Sequence, residues 1–151
     1  MAILKINDKD YEAKCTFKFD RLADKMYSSE NKDGDKVSGF MNVYMNLLQY
    51  DNKYLLAFWN CALDYMGKDK KPKLEEIEEA IEKRIEEDGD TELLFKEAFN
   101  TVDQSGFFKK QAKNFWKDFE LMKDLGKTKE EKAENLKVYN ALQAAKSELT
   151  E

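Results

Sequence analysis

Between Phe40 and Met66 the chain is at its most apolar, and a single polar break near Asp51-Asn52 divides the stretch in two. The halves "MNVYMNLLQY" and "KYLLAFWNCALDYM" carry large side chains around most of a helical circumference. Helices of that kind must be buried, so this pair forms the centre of any core the chain builds. Every later helical segment is apolar along one stripe only and can therefore only pack around that centre. At 151 residues the chain is long enough to bury such a core without disulfide or metal staples.

The one β signal lies at the start. In "DYEAKCTFKF" the residues Tyr11, Ala13, Cys15, Phe17 and Phe19 alternate with polar neighbours, a period of two that predicts a half-buried strand over Tyr11–Phe19. Before it, "AILKI" places Leu4 and Ile6 on one face. The intervening "NDKD" has the Asn and Asp that tolerate left-handed backbone, so a hairpin is expected.

Helical periodicity then takes over. Arg21–Tyr27 reads as a short helix with Leu22 and Met26 four apart, and "SSENKDGDKVSG" as a polar loop. Pro72 stands where a first helical turn accepts it. Leu74, Ile77, Ile81 and Ile85 follow on one stripe, with the glutamates mostly elsewhere. "EDGD" ends that helix and opens another, carrying Leu94, Phe95, Ala98 and Val102. A last helix starts at Thr128, whose spacing to Glu131 is that of a capping box, with Val138, Leu142, Ala145 and Leu149 on one side. The expected class is α+β, mainly α: an N-terminal β-hairpin followed by about five to seven amphipathic helices. Residues 2–126 are expected to form one globular domain, and 127–151 a C-terminal helix whose docking the pattern leaves open.

Composition removes several function classes. There is no histidine, hence no Ser-His or Cys-His pair and no imidazole metal ligand. The net charge of −5 offers no overall attraction to phosphates. No stretch reaches the roughly 18 apolar residues of a membrane helix, and "MAILKINDKDYEAK" has no apolar signal core. Cys15 and Cys61 have no metal-binding spacing and read as reduced, buried small residues. The oxygen-rich run from Asn31 to Asn42 suggests a calcium loop, but Lys36 and Asn42 occupy the positions that require Gly and Glu. The run "EEIEEAIEKRIEED" alternates with an isoleucine stripe, so its carboxylates form a solvated face rather than a perturbed acid–base pair. No phosphate-cradling glycine loop occurs. The expectation is a non-enzymatic protein with no cofactor and no metal.

"FFKKQAKNFWKDFELM", Phe107–Met122, puts five aromatic rings and four lysines in sixteen residues. At about 100° per residue, Phe108, Ala112, Phe115, Phe119 and Met122 form a narrow stripe with Phe107 and Trp116 on its flanks. Lys109, Lys110, Lys113 and Lys117 gather opposite. Nucleic acid would want lysines beside exposed rings, and a membrane surface would want them at the borders of the apolar face. The stripe reads as core, with flanking rings that suit a protein partner.

The order of these elements resembles a known family. The hairpin "LKINDKDYEAKCTFKFDRLADKMY" is similar to the start of the tail assembly chaperones of long-tailed, siphovirus-type bacteriophages, which open on an I-x-G-K-x-Y-x-x-x-F type hairpin and a helix ending near a Tyr. Ile6, Lys9, Tyr11, Phe17, Phe19, Leu22 and Tyr27 match in kind, while Asp8 stands where Gly is common. Farther on, "YLLAFWNCALDYM", a short basic loop and "KPKLEEIEEAIEK" follow the family order. Pro72, Leu74, Glu76, Ile77 and Glu78 carry the Thr/Pro-Leu-x-Glu-Ile-Glu run. The similarity spans roughly Ala2 to Phe119.

The resemblance implies an assembly chaperone of the host bacterial cytoplasm that coats the tape measure protein, keeps it soluble and helps recruit major tail protein. Such a protein is absent from the finished tail, and many members also exist in a longer, frameshifted form. Amphipathic helices with charged flanks suit such a client, and weak contacts repeated along a rod add up by multivalency. Phe107, Trp116, Val138, Leu142 and Leu149 are the expected contact residues. Self-association through an exposed hairpin edge stays open. The rival readings are a structural tail or head-completion protein retained in the virion, and a small nucleic-acid-associated regulator using the four lysines.

Overall fold

The computed structural model describes all residues, Met1–Glu151. Strands β1 (Ile3–Ile6) and β2 (Lys9–Glu12) pair antiparallel, with Leu4 opposite Tyr11 and Ile6 opposite Lys9. Asn7 and Asp8 close the hairpin at φ of 52° and 65°. Positive φ at both central residues matches the right-handed twist of the strands, and Asn and Asp tolerate it. Leu4 and Ile6 are buried beneath the hairpin, which packs on α4 (Leu74–Asp88). The Asn7 side chain donates to Glu76 of that helix.

The strand stops earlier than its alternation predicts. Thr16 accepts a hydrogen bond on Oγ1 from the Phe19 amide at 3.3 Å and caps α1 (Phe17–Tyr27). Phe19 then falls on a helical stripe with Ala23, and both are fully buried. Phe17, expected on the inward face of a strand, is 70% exposed. The period-two pattern had run across a strand–helix junction, where two periods fit the same few residues.

The polar loop holds a second small hairpin, β3 (Ser29–Glu30) with β4 (Lys36–Val37). Asn31 Oδ1 accepts from the amides of Asp33 and Asp35, at 3.0 and 2.9 Å, and so shapes the turn. Helix α2 (Gly39–Leu48) crosses α1 closely at Gly39. A Cβ there would lie 1.9 Å from the Ala23 carbonyl oxygen, so only glycine fits.

The two apolar halves form α2 and α3 (Asn52–Ala62), separated by Tyr50 at a φ of 59° and by Asp51, which caps α3. Tyr44, Leu47, Leu48, Leu55, Phe58 and Trp59 are the middle of the core. A short 3₁₀ turn (Asp64–Met66) leads to α4. Pro72 lies just outside that helix, whose cap is Lys73, with the Lys73 amide donating to Glu76 at 2.9 Å. Gly89, at a φ of 85°, ends it. Arg84 pairs with Asp88 of its own helix at 2.8 Å and ties α4 to α5 (Glu92–Asp103) through Glu97 at 3.1 Å. Helices α6 (Lys109–Met122) and α7 (Lys129–Thr150) complete the chain. Thr128 and Glu131 cap α7: the Glu131 amide donates to Thr128 Oγ1, and the Lys127 amide to the Glu131 carboxylate. The result is an N-terminal hairpin and seven α-helices, with α1, α2, α4 and α5 packed on α3, the mainly helical α+β class expected.

A candidate partner-binding face on the last two helices

Helix α6 is rotated from the stripe drawn on its sequence. Its buried line is Phe108, Ala112 and Trp116, while Phe115 and Phe119 are half-buried and Met122 is exposed. Two neighbours cause the rotation. Phe108 stacks on Phe40 of α2 with centroids 4.3 Å apart, and α7 folds back antiparallel along the other side.

Trp116 therefore sits inside rather than on a flank. Its indole Nε1 donates to the Tyr44 hydroxyl at 2.7 Å, and that hydroxyl donates to Asp103 Oδ1 at 2.7 Å. Gln104 donates to the other Asp103 oxygen at 2.8 Å. Burial, and then the bond to Asp103, push the Tyr44 phenol far above its usual value, so it stays a neutral donor. The Lys146 ammonium of α7 lies 5.0 Å over the Trp116 ring.

From this anchor a run of rings leads outward. Phe115 meets Tyr44 edge-on and stacks on Phe119 at 5.6 Å, and Phe119 meets Tyr139 of α7 at 5.6 Å. Between α6 and the start of α2 these rings border a groove of about 360 Å³, with Phe40, Met41, Phe115, Phe119 and Met122 among its walls. Other apolar side chains of this part of the chain are exposed: Leu121 is 63% and Leu125 62% exposed, and Leu136 and Val138 are exposed on α7. Asp118 lies in the same groove, and the Lys123–Glu120 pair at 3.8 Å is nearby. The groove is thus apolar with mixed charge at its rim. Lys109, Lys110, Lys113 and Lys117 are solvent-exposed.

The seat of α7 is slight for 22 residues. Leu149 alone is fully buried, with its carbonyl bonded to Asn100 Nδ2 at 2.8 Å. Tyr139, Leu142, Ala145 and Lys146 are half-buried. Burying one leucine contributes about 1.5–3 kcal/mol, and the half-buried side chains add to it, so α7 docks on α5, α2 and α6 mainly through partly exposed contacts.

The five expected contact residues are not brought together. Phe107 lies before α6 and meets the exposed Phe17 edge-on at 5.0 Å. Val138, 44% exposed, belongs to the opposite end of the α6–α7 pair. Trp116, Leu142 and Leu149 line the seam between α7 and the body. Leu121, Leu125, Met41 and Phe17 escaped the sequence reading. Leu121 and Leu125, four apart and off the α6 stripe, were the available signal for two of them. A second cleft, also unforeseen, gathers Lys18, Arg21, Lys68, Lys71 and Lys73 around Asp64 and the buried Asn60.

A model of the family described as phage tail assembly chaperone protein matches residues 3–117. No curated protein and no solved structure matches the chain.

Proposed function

The chain belongs to the phage tail assembly chaperone family, and from that premise we propose that it binds the tape measure protein, keeps it soluble and helps recruit the major tail protein while the tail is built. The proposed site of action is the cytoplasm of the host bacterium, and the role is non-enzymatic. One observation carries the binding site: Phe40, Met41, Phe115, Phe119 and Met122 line one open groove, and the same two last helices and their connection also expose Leu121, Leu125 and Val138. A long helical client exposes apolar stripes before assembly, and an apolar groove with charged rims is the surface that shields such a stripe. Phe107, paired with Phe17, is proposed as a separate contact at the other end of α6. Trp116, Leu142 and Leu149 are proposed as contacts reached when α7 lifts. Individually weak contacts become effective when several copies line one rod.

The test is co-expression with the tape measure protein encoded beside it. Soluble tape measure that co-purifies with an excess of this chain supports the reading. The double substitution Met41→Asp, Met122→Asp should abolish co-purification while the melting temperature holds. If the tape measure stays insoluble and this chain is found in purified particles, a structural role in the virion replaces the chaperone role.

A further inference from the structure

The seam under α7 has the form of a helix-binding groove. Its walls are Trp116 and Phe119 of α6 and Asn100 of α5, and α7 meets them with Tyr139, Leu142, Lys146 and Leu149. Those positions are spaced three, four and three apart, the repeat of one helix lying along others. Beside the seam, at Trp116 and Lys146, lies a cleft of about 330 Å³ whose other walls are Asp103, Gln104, Lys109, Ala112 and Lys113.

The family match ends at residue 117, within α6, so all of α7 lies outside the matched region. A helix beyond the matched region, with Leu149 fully buried and Tyr139, Leu142, Ala145 and Lys146 half-buried, covers a groove whose Trp116 and Asn100 lie within that region. We propose that this groove is a binding site for an amphipathic helix of the client, and that α7 occupies it in cis until the client helix displaces it. This deepens the chaperone reading and rests on it. The seated helix specifies the ligand: apolar residues at the positions of Tyr139, Leu142 and Leu149, with Lys or Arg at the position of Lys146 to cover the indole. Displacement exposes Trp116, Phe119 and Asn100 to the incoming helix, so the site consists of residues that α7 covers in the resting chain.

The probe is a fluorescein-labelled synthetic peptide of residues 127–151, added to the full-length chain. Leu149→Asp loosens the chain's own α7, and that variant binds the peptide at least about tenfold more tightly than the wild type does. A peptide carrying Leu142→Asp and Leu149→Asp does not bind. Equal binding by variant and wild type, or none by either, overturns the proposal. Should Leu149→Asp unfold the chain, hydrogen exchange of the wild type decides: α7 amides exchanging at least about a hundredfold faster than those of α3 support a displaceable helix, and α7 amides as protected as α3 overturn it. If Met41→Asp, Met122→Asp abolishes tape-measure binding while the peptide fails to bind in trans, the chaperone reading survives and this groove does not.

Discussion

The Trp116 indole and the Tyr44 hydroxyl meet at 2.7 Å although 72 positions separate them, and the hydroxyl donates its own hydrogen bond to Asp103 Oδ1 at the same distance. This chain of donors fixes α6 against α2 and α5. Asp103 is a buried carboxylate, and it is kept satisfied by Tyr44 and Gln104. Tyr44→Phe keeps the ring and removes the hinge of the network, leaving an indole N–H and a carboxylate oxygen unpaired. Each orphaned group costs about 1–3 kcal/mol. The expected outcome in urea unfolding is a loss of at least about 1 kcal/mol, with a change in Trp116 emission in the folded state. An unchanged midpoint would mean that water replaces the hydroxyl.

Gly39 and Ala23 set the closest approach of two helices. Any Cβ at Gly39 meets the Ala23 carbonyl carbon and oxygen at 2.0 and 1.9 Å, both backbone atoms that cannot turn aside. Gly39→Ala therefore pushes α1 off α2 and disturbs the bond from the Gly39 amide to Asp24, now 2.9 Å. Overpacking of this kind costs about 1–3 kcal/mol or more. A melting curve checks it, and Gly106→Ala, where added carbon meets open space, is the control.

What was legible in the sequence is what local physics decides. Leu4 and Ile6 on one face, the Asn7-Asp8 turn, the break at Asp51 and the Thr128 cap each follow from a few adjacent residues. Phe17 was misplaced because Thr16 switches the backbone from strand to helix, and alternation over so short a run does not register the switch. Trp116 was read as a flanking ring because the burial of α6 depends on where α7 returns, which no pattern inside Phe107–Met122 encodes. Leu149 was placed on the inner side of its helix as it is found, but the depth of its burial depends on Asn100 and its neighbours far away in sequence. The candidate groove was hardest to see. It joins Met41 to Met122, and only the tertiary fold brings them together.

The two cysteines give the chain an alkaline limit. Burial pushes the Cys15 thiol from its ordinary 9.0 up to about 11, against a smaller opposing bond from Ser105, and burial pushes Cys61 to about 12. Folded thiols thus keep protons that unfolded ones release. From pH 9 upward the folded state binds more protons, and stability falls as pH rises toward those raised values. Tyr44 shifts in the same direction for the same reason and adds to the loss. Urea midpoints should decline above pH 9. At pH 8 a thiol reagent should label Cys61 only as fast as the chain opens, since it attacks thiolate and Cys61 is buried. Rapid labelling of the native protein would show that the α3 environment is open to solvent.

Leu121 and Leu125 separate client binding from stability. Both are more than 60% exposed, at 63% and 62%, so neither contributes much to the core. Exposed substitutions of this kind usually change stability by about 0.5 kcal/mol or less. Leu121→Lys with Leu125→Lys should therefore leave the melting temperature within a degree or two of wild type, as about 0.5 kcal/mol implies for a chain of this size. The same change puts two charges at the C-terminal end of α6, where a client's apolar stripe that runs beyond the α2–α6 groove would have to desolvate them. The expected result is a loss of tape-measure solubilisation on co-expression of at least about tenfold, corresponding to about 1.4 kcal/mol of binding. Phe17→Lys, at the other end of α6, distinguishes one extended contact from a local one: a comparable loss means the client lies along the whole helix, and no loss confines it to the groove. Full solubilisation by the Leu121, Leu125 variant would move the client away from this end of the molecule and leave the exposed leucines without a part in binding.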